Sequence, residues 1–438
     1  MELFKYLIKH DGFIKYFKNT SWVFLEKVLR IFVGIFVTVW VARYLGPEQF
    51  GILSYAIALV GIFSSISTLG LDSIVVRELV KNEIEHYEII GTTFFLKLLG
   101  AVVVIVILYI ITNVLPNDEH TNVLIFIIAS STIFHSFNVI DFYFQSKVLS
   151  KYVVYANIIS LSICSFIKIF LILNNASLTA FAWVILLESI ILAIGLLYFF
   201  IKLNPNKIFS SVKFKIKVSK NLLSDSWPLI LSGLVISVYM KIDQVMINQL
   251  LGNEAVGQYS AAVRLSEAWY FVPVVIAGSL FPAIINARKV SHHLYYSRLQ
   301  KLFNFMVWVA ISIALLVTFF SSTIVDILYG YQYFETARVL TIHIWASVFV
   351  FLGVASGKWF VIENYKLLYF FRTFYGMLFN IILNLIFIPR YGIEGAAWAT
   401  LIGQSIAAYF SDLLNAETRS IFKMKTKTLL IWRFFNAK

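Results

Sequence analysis

Cysteine occurs once in this chain, at Cys164, inside an apolar run. An intrachain disulfide is therefore impossible. Zinc and iron–sulfur centres of the Cys-cluster kind are excluded, and the thiol reads as a small buried hydrophobe. Charge is scarce as well: Asp, Glu, Lys and Arg make up 13% of the 438 residues, against about 25% in a soluble domain. A P-loop is absent, so no ATPase is built in, and no HExxH or Ser/His/Asp pattern is present. Only His135 and His343 of the seven histidines fall well inside apolar segments, and the one adjacent acid pair in an outer connection, Asp118-Glu119, lies in a turn. No metal site and no cofactor is expected.

What the chain has instead is apolar length. It is 60% hydrophobic, with a mean hydropathy of +0.83. Runs of about 20 apolar residues recur from end to end, enough to cross a hydrocarbon core of roughly 30 Å. The chain reads as an all-α integral membrane protein. Twelve spans are expected, near 20–42, 50–71, 91–115, 122–145, 153–173, 178–201, 228–250, 256–285, 298–325, 336–362, 367–388 and 393–414. Breakers such as Pro116-Asn117, Asn174-Asn175, Pro205, Gly252-Asn253, Gly330 and Pro389 fill the gaps. The first run shows no small-residue cleavage site and reads as a retained helix rather than a signal peptide. Its lead, LFKYLIKHDGFIKYF, fits an interfacial helix or a disordered tail.

Cations test this count. Four Lys lie in 1–19, two cations in 75–90, two in 145–152, six in 202–220, four in 286–302 and six in 415–438. The alternate connections hold only Arg43 and Arg390. The positive-inside rule then places both termini in the cytoplasm. The net charge of +13 follows from the same asymmetry, as a basic face against anionic lipid. No nucleic-acid partner is expected, because no basic segment outside the membrane is interleaved with stacking aromatics.

The basic connection 202–220 divides the chain into six spans plus six: a lead (1–19), an N-lobe (20–201), the linker, a C-lobe (221–414) and a basic tail (415–438). The lobes carry a repeat. LGPEQFGILSYA (45–56) and LGNEAVGQYSAA (251–262) share six of twelve residues without a gap, at an offset of 206. Both follow the first span of their lobe. An offset of six spans is even, so the copies enter the membrane in the same direction, as a parallel repeat about an axis along the membrane normal. Two six-helix bundles facing a central cavity are expected.

The stretches ARYLGPEQFG (42–51), STLGLDSIVVREL (67–79) and DQVMINQLLGNEAVGQYSAAVRLSEAWYFVP (243–273) resemble a known family. They are similar to the polysaccharide-transporter branch of the multidrug/oligosaccharidyl-lipid/polysaccharide (MOP) flippase superfamily, and most of all to O-antigen-type (Wzx) flippases. The resemblance implies a MATE-like fold in the cell inner membrane. It implies alternating-access flipping of an undecaprenyl-pyrophosphate-linked oligosaccharide to the periplasmic leaflet. The partners it implies are membrane lipids, an O-antigen polymerase and a chain-length regulator. A MATE-type multidrug exporter and a membrane glycosyltransferase or O-antigen polymerase are the rival readings.

A charge at mid-bilayer costs about 2.5–3.5 kcal/mol, so charges inside spans should face protein or water. Arg30, Lys97, Lys168, Lys241 and Arg264 are the candidate phosphate-binding cations, Arg as a fork and Lys as a point charge. Glu26, Asp72, Asp141, Glu188, Asp243 and Glu267 are the candidates for pairing with them or for coupling to a proton or Na⁺ gradient. Glu26 and Arg30, at i and i+4, and Arg264 and Glu267, at i and i+3, have pairing geometry; Lys168 has no acid nearby in its own span. Most of the 41 Phe and 23 Tyr read as lipid-facing or belt residues. Trp269, Tyr270 and Trp359 are the candidates for glycan contact.

Overall fold

The computed structural model describes residues 11–82, 85–204 and 213–430, which are helical throughout with no strand among them. The interfacial reading of residues 1–10, the middle of the basic linker and the last eight residues of the tail fall outside the described residues. Among the described residues, ten helices are long and apolar enough to cross a membrane. Many of their large apolar side chains stay exposed, among them Phe166 at 72% and Phe319 at 83%. Such exposure suits lipid as the outer solvent, since hydrocarbon tails are as apolar as the side chains they touch.

Packing divides the chain into two units, Met1–Val41 with Ala56–Ser237 and Ala42–Tyr55 with Val238–Lys438. Helix α1 (Asp11–Ile62) belongs partly to each. Unit one continues through α2 (Ser64–Thr68), α3 (Asp72–Lys81), α4 (His86–Val114), α5 (Glu119–Phe134), α6 (Val139–Ser146), α7 (Lys151–Leu173) and α8 (Leu178–Leu203). It takes in α9 (Ile216–Leu251) as far as Ser237. Its core joins Leu71, Val75 and Leu79 to Ile89, Phe144, Leu196 and Phe200. Span two, expected to run to residue 71, breaks at Phe63, and Leu69 and Gly70 both take positive φ. A Cβ on Gly70 would lie 2.9 Å from the Ile230 backbone nitrogen, so the turn needs glycine to let α9 approach.

Unit two holds the rest of α9, then α10 (Asn253–Glu267), α11 (Phe271–Val290), α12 (His292–Leu328), α13 (Thr336–His343), α14 (Ala346–Ile362), α15 (Lys366–Ala408) and α16 (Arg419–Leu429). Its core is built from Tyr295, Phe303, Met306, Phe351, Leu352 and Trp359, with Ile421 of α16 packed into it. Two contacts pin α16: Lys425 Nζ reaches Asp412 Oδ2 at 2.7 Å and the Ala408 carbonyl at 2.6 Å, with both side chains fully buried. Pro228 and Pro282 lie inside α9 and α11.

Four connections expected on the outer face share one device. Gly46 (φ 72, ψ 170) and Gly392 (φ 58, ψ −142) kink α1 and α15 into two arms each, and Gly252 (φ 91, ψ −175) and Gly330 (φ 83, ψ 178) open the next helices. That region of backbone space is essentially restricted to glycine. The two copies of the repeated corner also meet one another, inside unit two. A Cβ on Gly51 would sit 1.8 Å from the Asn253 carbonyl oxygen, and one on Gly257 would sit 1.9 Å from the Pro47 carbonyl oxygen. Gly51 and Gly257 are equivalent positions of the repeat, and so are Pro47 and Asn253; the contact is reciprocal. Tyr333 closes over it, with its hydroxyl donating to the Ala42 carbonyl at 2.6 Å.

Candidate functional site

The candidate charges in unit one meet partners. Arg30 Nε donates to Glu26 Oε1 at 2.8 Å, the helical pair expected from their spacing. Lys97 is buried at 2% exposure; its Nζ lies 3.2 Å from Asp72 Oδ1 and 4.6 Å from the centroid of the Phe142 ring. Asp141 accepts from Gln145 at 3.0 Å, one turn along α6. Lys168 of α7 finds its acid on the next helix, with Glu188 Oε2 3.4 Å away. At the head of α9, Asp225 binds Arg77, which also holds Glu78 at 2.8 Å.

Unit two is arranged differently. Arg264 does not pair with Glu267: among the described residues no carboxylate lies within ion-pair distance of it, and its guanidinium carbon sits 5.5 Å from the centroid of the Phe50 ring. The three-residue spacing lies wholly within α10, but the two side chains part: the Arg264 guanidinium lies toward Phe50, and Glu267 lines a small cavity with Tyr239 and Asp243. Lys241 likewise has no ion-pair partner among the described residues. Both cations are half-buried and keep part of their surface accessible.

Two residues beyond Lys241 on α9, and so turned away from it, Asp243 is buried at 5% exposure. Among the described residues its carboxylate is met by neutral groups alone. Asn384 Nδ2 donates to Oδ1 at 2.7 Å, the Tyr259 hydroxyl donates to Oδ2 at 2.8 Å, and the Thr400 hydroxyl contacts Oδ2 as well. Asn380 lies one turn before Asn384 and is hydrogen-bonded to it at 3.2 Å. Asn384 Oδ1 and the Tyr239 hydroxyl are buried without a partner among the described residues. Tyr239, Asp243, Tyr259, Glu267, Tyr270 and His343 line a cavity of about 10 Å³ beside this cluster, close to the least room that admits one water-sized guest. His343 is held by Ser266 at 3.0 Å. A carboxylate out of water with only neutral donors is costly unless neutralised by a proton or a cation.

The three aromatic candidates separate. Trp359 is packed into the core of unit two, edge-on to Phe360 and tilted on Tyr365, at 2% exposure. Such packing leaves it no face for a sugar. Trp269 is exposed and Tyr270 lines the small cavity. Asn380, Asn384, Thr400 and Tyr259 were not singled out from the sequence. The available signal was two amides at i and i+4 in an otherwise apolar run, a spacing that puts both on one helix face.

Residues 16–288 match the family model described as polysaccharide biosynthesis protein, and all three stretches that carried the resemblance lie within that match. The capsular polysaccharide biosynthesis protein CapF of Staphylococcus aureus is 23% identical, over 89% of this chain and 96% of its own length. A Shigella flexneri protein named as a putative O-antigen transporter is 24% identical, over 72% and 77%. The fold is shared with an inward-facing MATE multidrug transporter of the MOP superfamily (TM-score 0.74, 15% identity, 91% of this chain and 96% of that one). It is shared equally with the lipid II flippase MurJ (TM-score 0.73, 17% identity, 93% and 90%). With well over half its length inside the family match, this multi-pass membrane protein belongs to the polysaccharide biosynthesis protein family.

Proposed function

We propose that this protein is a flippase that moves an undecaprenyl-pyrophosphate-linked oligosaccharide, an O-antigen unit or a related surface glycan, from the cytoplasmic to the periplasmic leaflet by alternating access. The observation that carries this reading, beside family membership, is that Lys241 and Arg264, two of the candidate intramembrane cations, have no acid within ion-pair distance among the described residues. A diphosphate offers oxygens that an Arg fork and a Lys point charge bind well. A cationic drug would be repelled by the same groups, which disfavours a multidrug exporter. Each arm of the kinked helices α1 and α15 crosses the membrane in this reading, giving twelve spans with both termini cytoplasmic in the inner membrane. An O-antigen polymerase and a chain-length regulator act on the product.

Asp243 is the proposed coupling residue. A proton or Na⁺ at its carboxylate offsets the cost of a buried charge, and Asn384 Oδ1 and the Thr400 hydroxyl supply oxygens beside it. The test of the reading is deletion of the gene. Lipid-linked repeat units should accumulate on the cytoplasmic side, with surface glycan lost; unchanged surface glycan overturns it.

A further inference from the structure

A groove of about 460 Å³ runs between α11 and α14, away from the Asp243 cluster, at the end of unit two that leads into the 286–302 connection. The cation asymmetry assigns that end to the cytoplasmic headgroup layer. Its floor is apolar: Phe281 and Ile285 from α11, Val361 and Ile362 from α14. Val361 is 63% exposed there. Its rim is basic. Arg288 is already committed, donating to the Ile362 carbonyl and to Glu363 Oε2, both at 2.7 Å, so it closes the last turn of α14 and uses up the nearby acid. Lys289 and Lys358 have no acid partner among the described residues. Lys289 is exposed in the last turn of α11, and Lys358 holds its ammonium 5.0 Å from the centroid of the Phe281 ring.

We propose that this groove is a binding site for an anionic phospholipid of the cytoplasmic leaflet. One chain lies over Phe281, Ile285 and Val361, and the phosphate sits between Lys289 and Lys358. Basic pockets between transmembrane helices on this side of the membrane have the character needed to hold anionic headgroups. A purely apolar crevice would not discriminate between lipids, and a purely basic patch would not need the exposed floor; this groove has both.

The test is native mass spectrometry of the full chain in neutral detergent, titrated with phosphatidylglycerol or with phosphatidylcholine of the same acyl chains. The wild type should retain one phosphatidylglycerol preferentially. The K289Q/K358Q variant should lose that preference by about thirtyfold, at tenfold per 1.4 kcal/mol and about 1 kcal/mol per lysine. V361W, which fills the floor and leaves the charges in place, should lose it too. Equal retention of phosphatidylcholine by the wild type, or an unchanged preference in either variant once thermal unfolding shows it folded, overturns the site. Displacement of phosphatidylglycerol by equimolar polyprenyl phosphate, without the reverse, assigns the groove to the carrier lipid and overturns the phospholipid proposal.

Discussion

Arg30, Lys97 and Lys168 in unit one each lie against a carboxylate, at 2.8, 3.2 and 3.4 Å. Lys241 and Arg264 in unit two lie against none among the described residues, and there the buried acid, Asp243, is held by an amide and two hydroxyls. A paired charge costs less to keep in a membrane and offers less to a ligand, because its partner must first be displaced. A charge without a contacting partner recovers less of its desolvation cost, and so marks a place where something from outside can complete it. By this criterion unit two holds the stronger candidates for substrate and ion, and unit one holds charge pairs that orient helices.

That contrast can be broken in four ways, taken from the largest expected effect. Alanine at Gly257 or at Gly51 must displace a carbonyl less than 2 Å away. Each should cost at least about 1–3 kcal/mol, the range for forced overpacking, and the two costs should match; thermal unfolding in detergent measures both. Unequal costs would show the corner to be less symmetric than its geometry. Next, Asp243→Asn keeps the shape and removes the charge. Transport in proteoliposomes should fall about ten- to hundredfold, the worth of one to two charged hydrogen bonds. What remains should no longer respond to a Na⁺ or proton gradient; residual transport that still follows the gradient places coupling elsewhere. Third, Lys241→Gln and Arg264→Gln should each lower surface glycan more than Arg30→Gln or Lys168→Gln, at equal protein level in the membrane. Equal defects in all four would erase the distinction between the units. Smallest is the double change Lys168→Gln with Glu188→Gln, which should restore most of what Lys168→Gln alone loses, with a coupling of about 0.5–1 kcal/mol. No restoration would mean that Lys168 acts outside its pair.

Much of this was legible in the sequence because it depends on local spacing. The Glu26–Arg30 pair follows from a four-residue step on one helix. The helix breaks at Gly46, Gly252 and Gly330 follow from turn residues between apolar runs. The partner of Lys168 was not legible: Glu188 lies twenty residues on, and only the packing of α7 against α8 brings them together. Arg264 and Glu267 failed in the opposite sense: the spacing is intact within α10, but Arg264 lies toward Phe50 and Glu267 lines the small cavity, and spacing alone does not choose between such orientations. The Asp243 cluster was half visible. The acid stands out against an apolar run, but Asn384 and Thr400 carry no charge and lie more than a hundred residues away, so only the fold selects them from other polar side chains.

The reciprocal seating of Gly51 on Asn253 and of Gly257 on Pro47 has a historical consequence. After a duplication, the two copies of a segment are free to drift apart wherever each faces its own surroundings. Here each copy is the other's surroundings. A side chain gained at one glycine would occupy the volume of a carbonyl in its twin, so neither position can change unless the opposite backbone yields. The resemblance that first exposed the repeat, LGPEQFG against LGNEAVG, thus falls at the place where the two copies constrain one another.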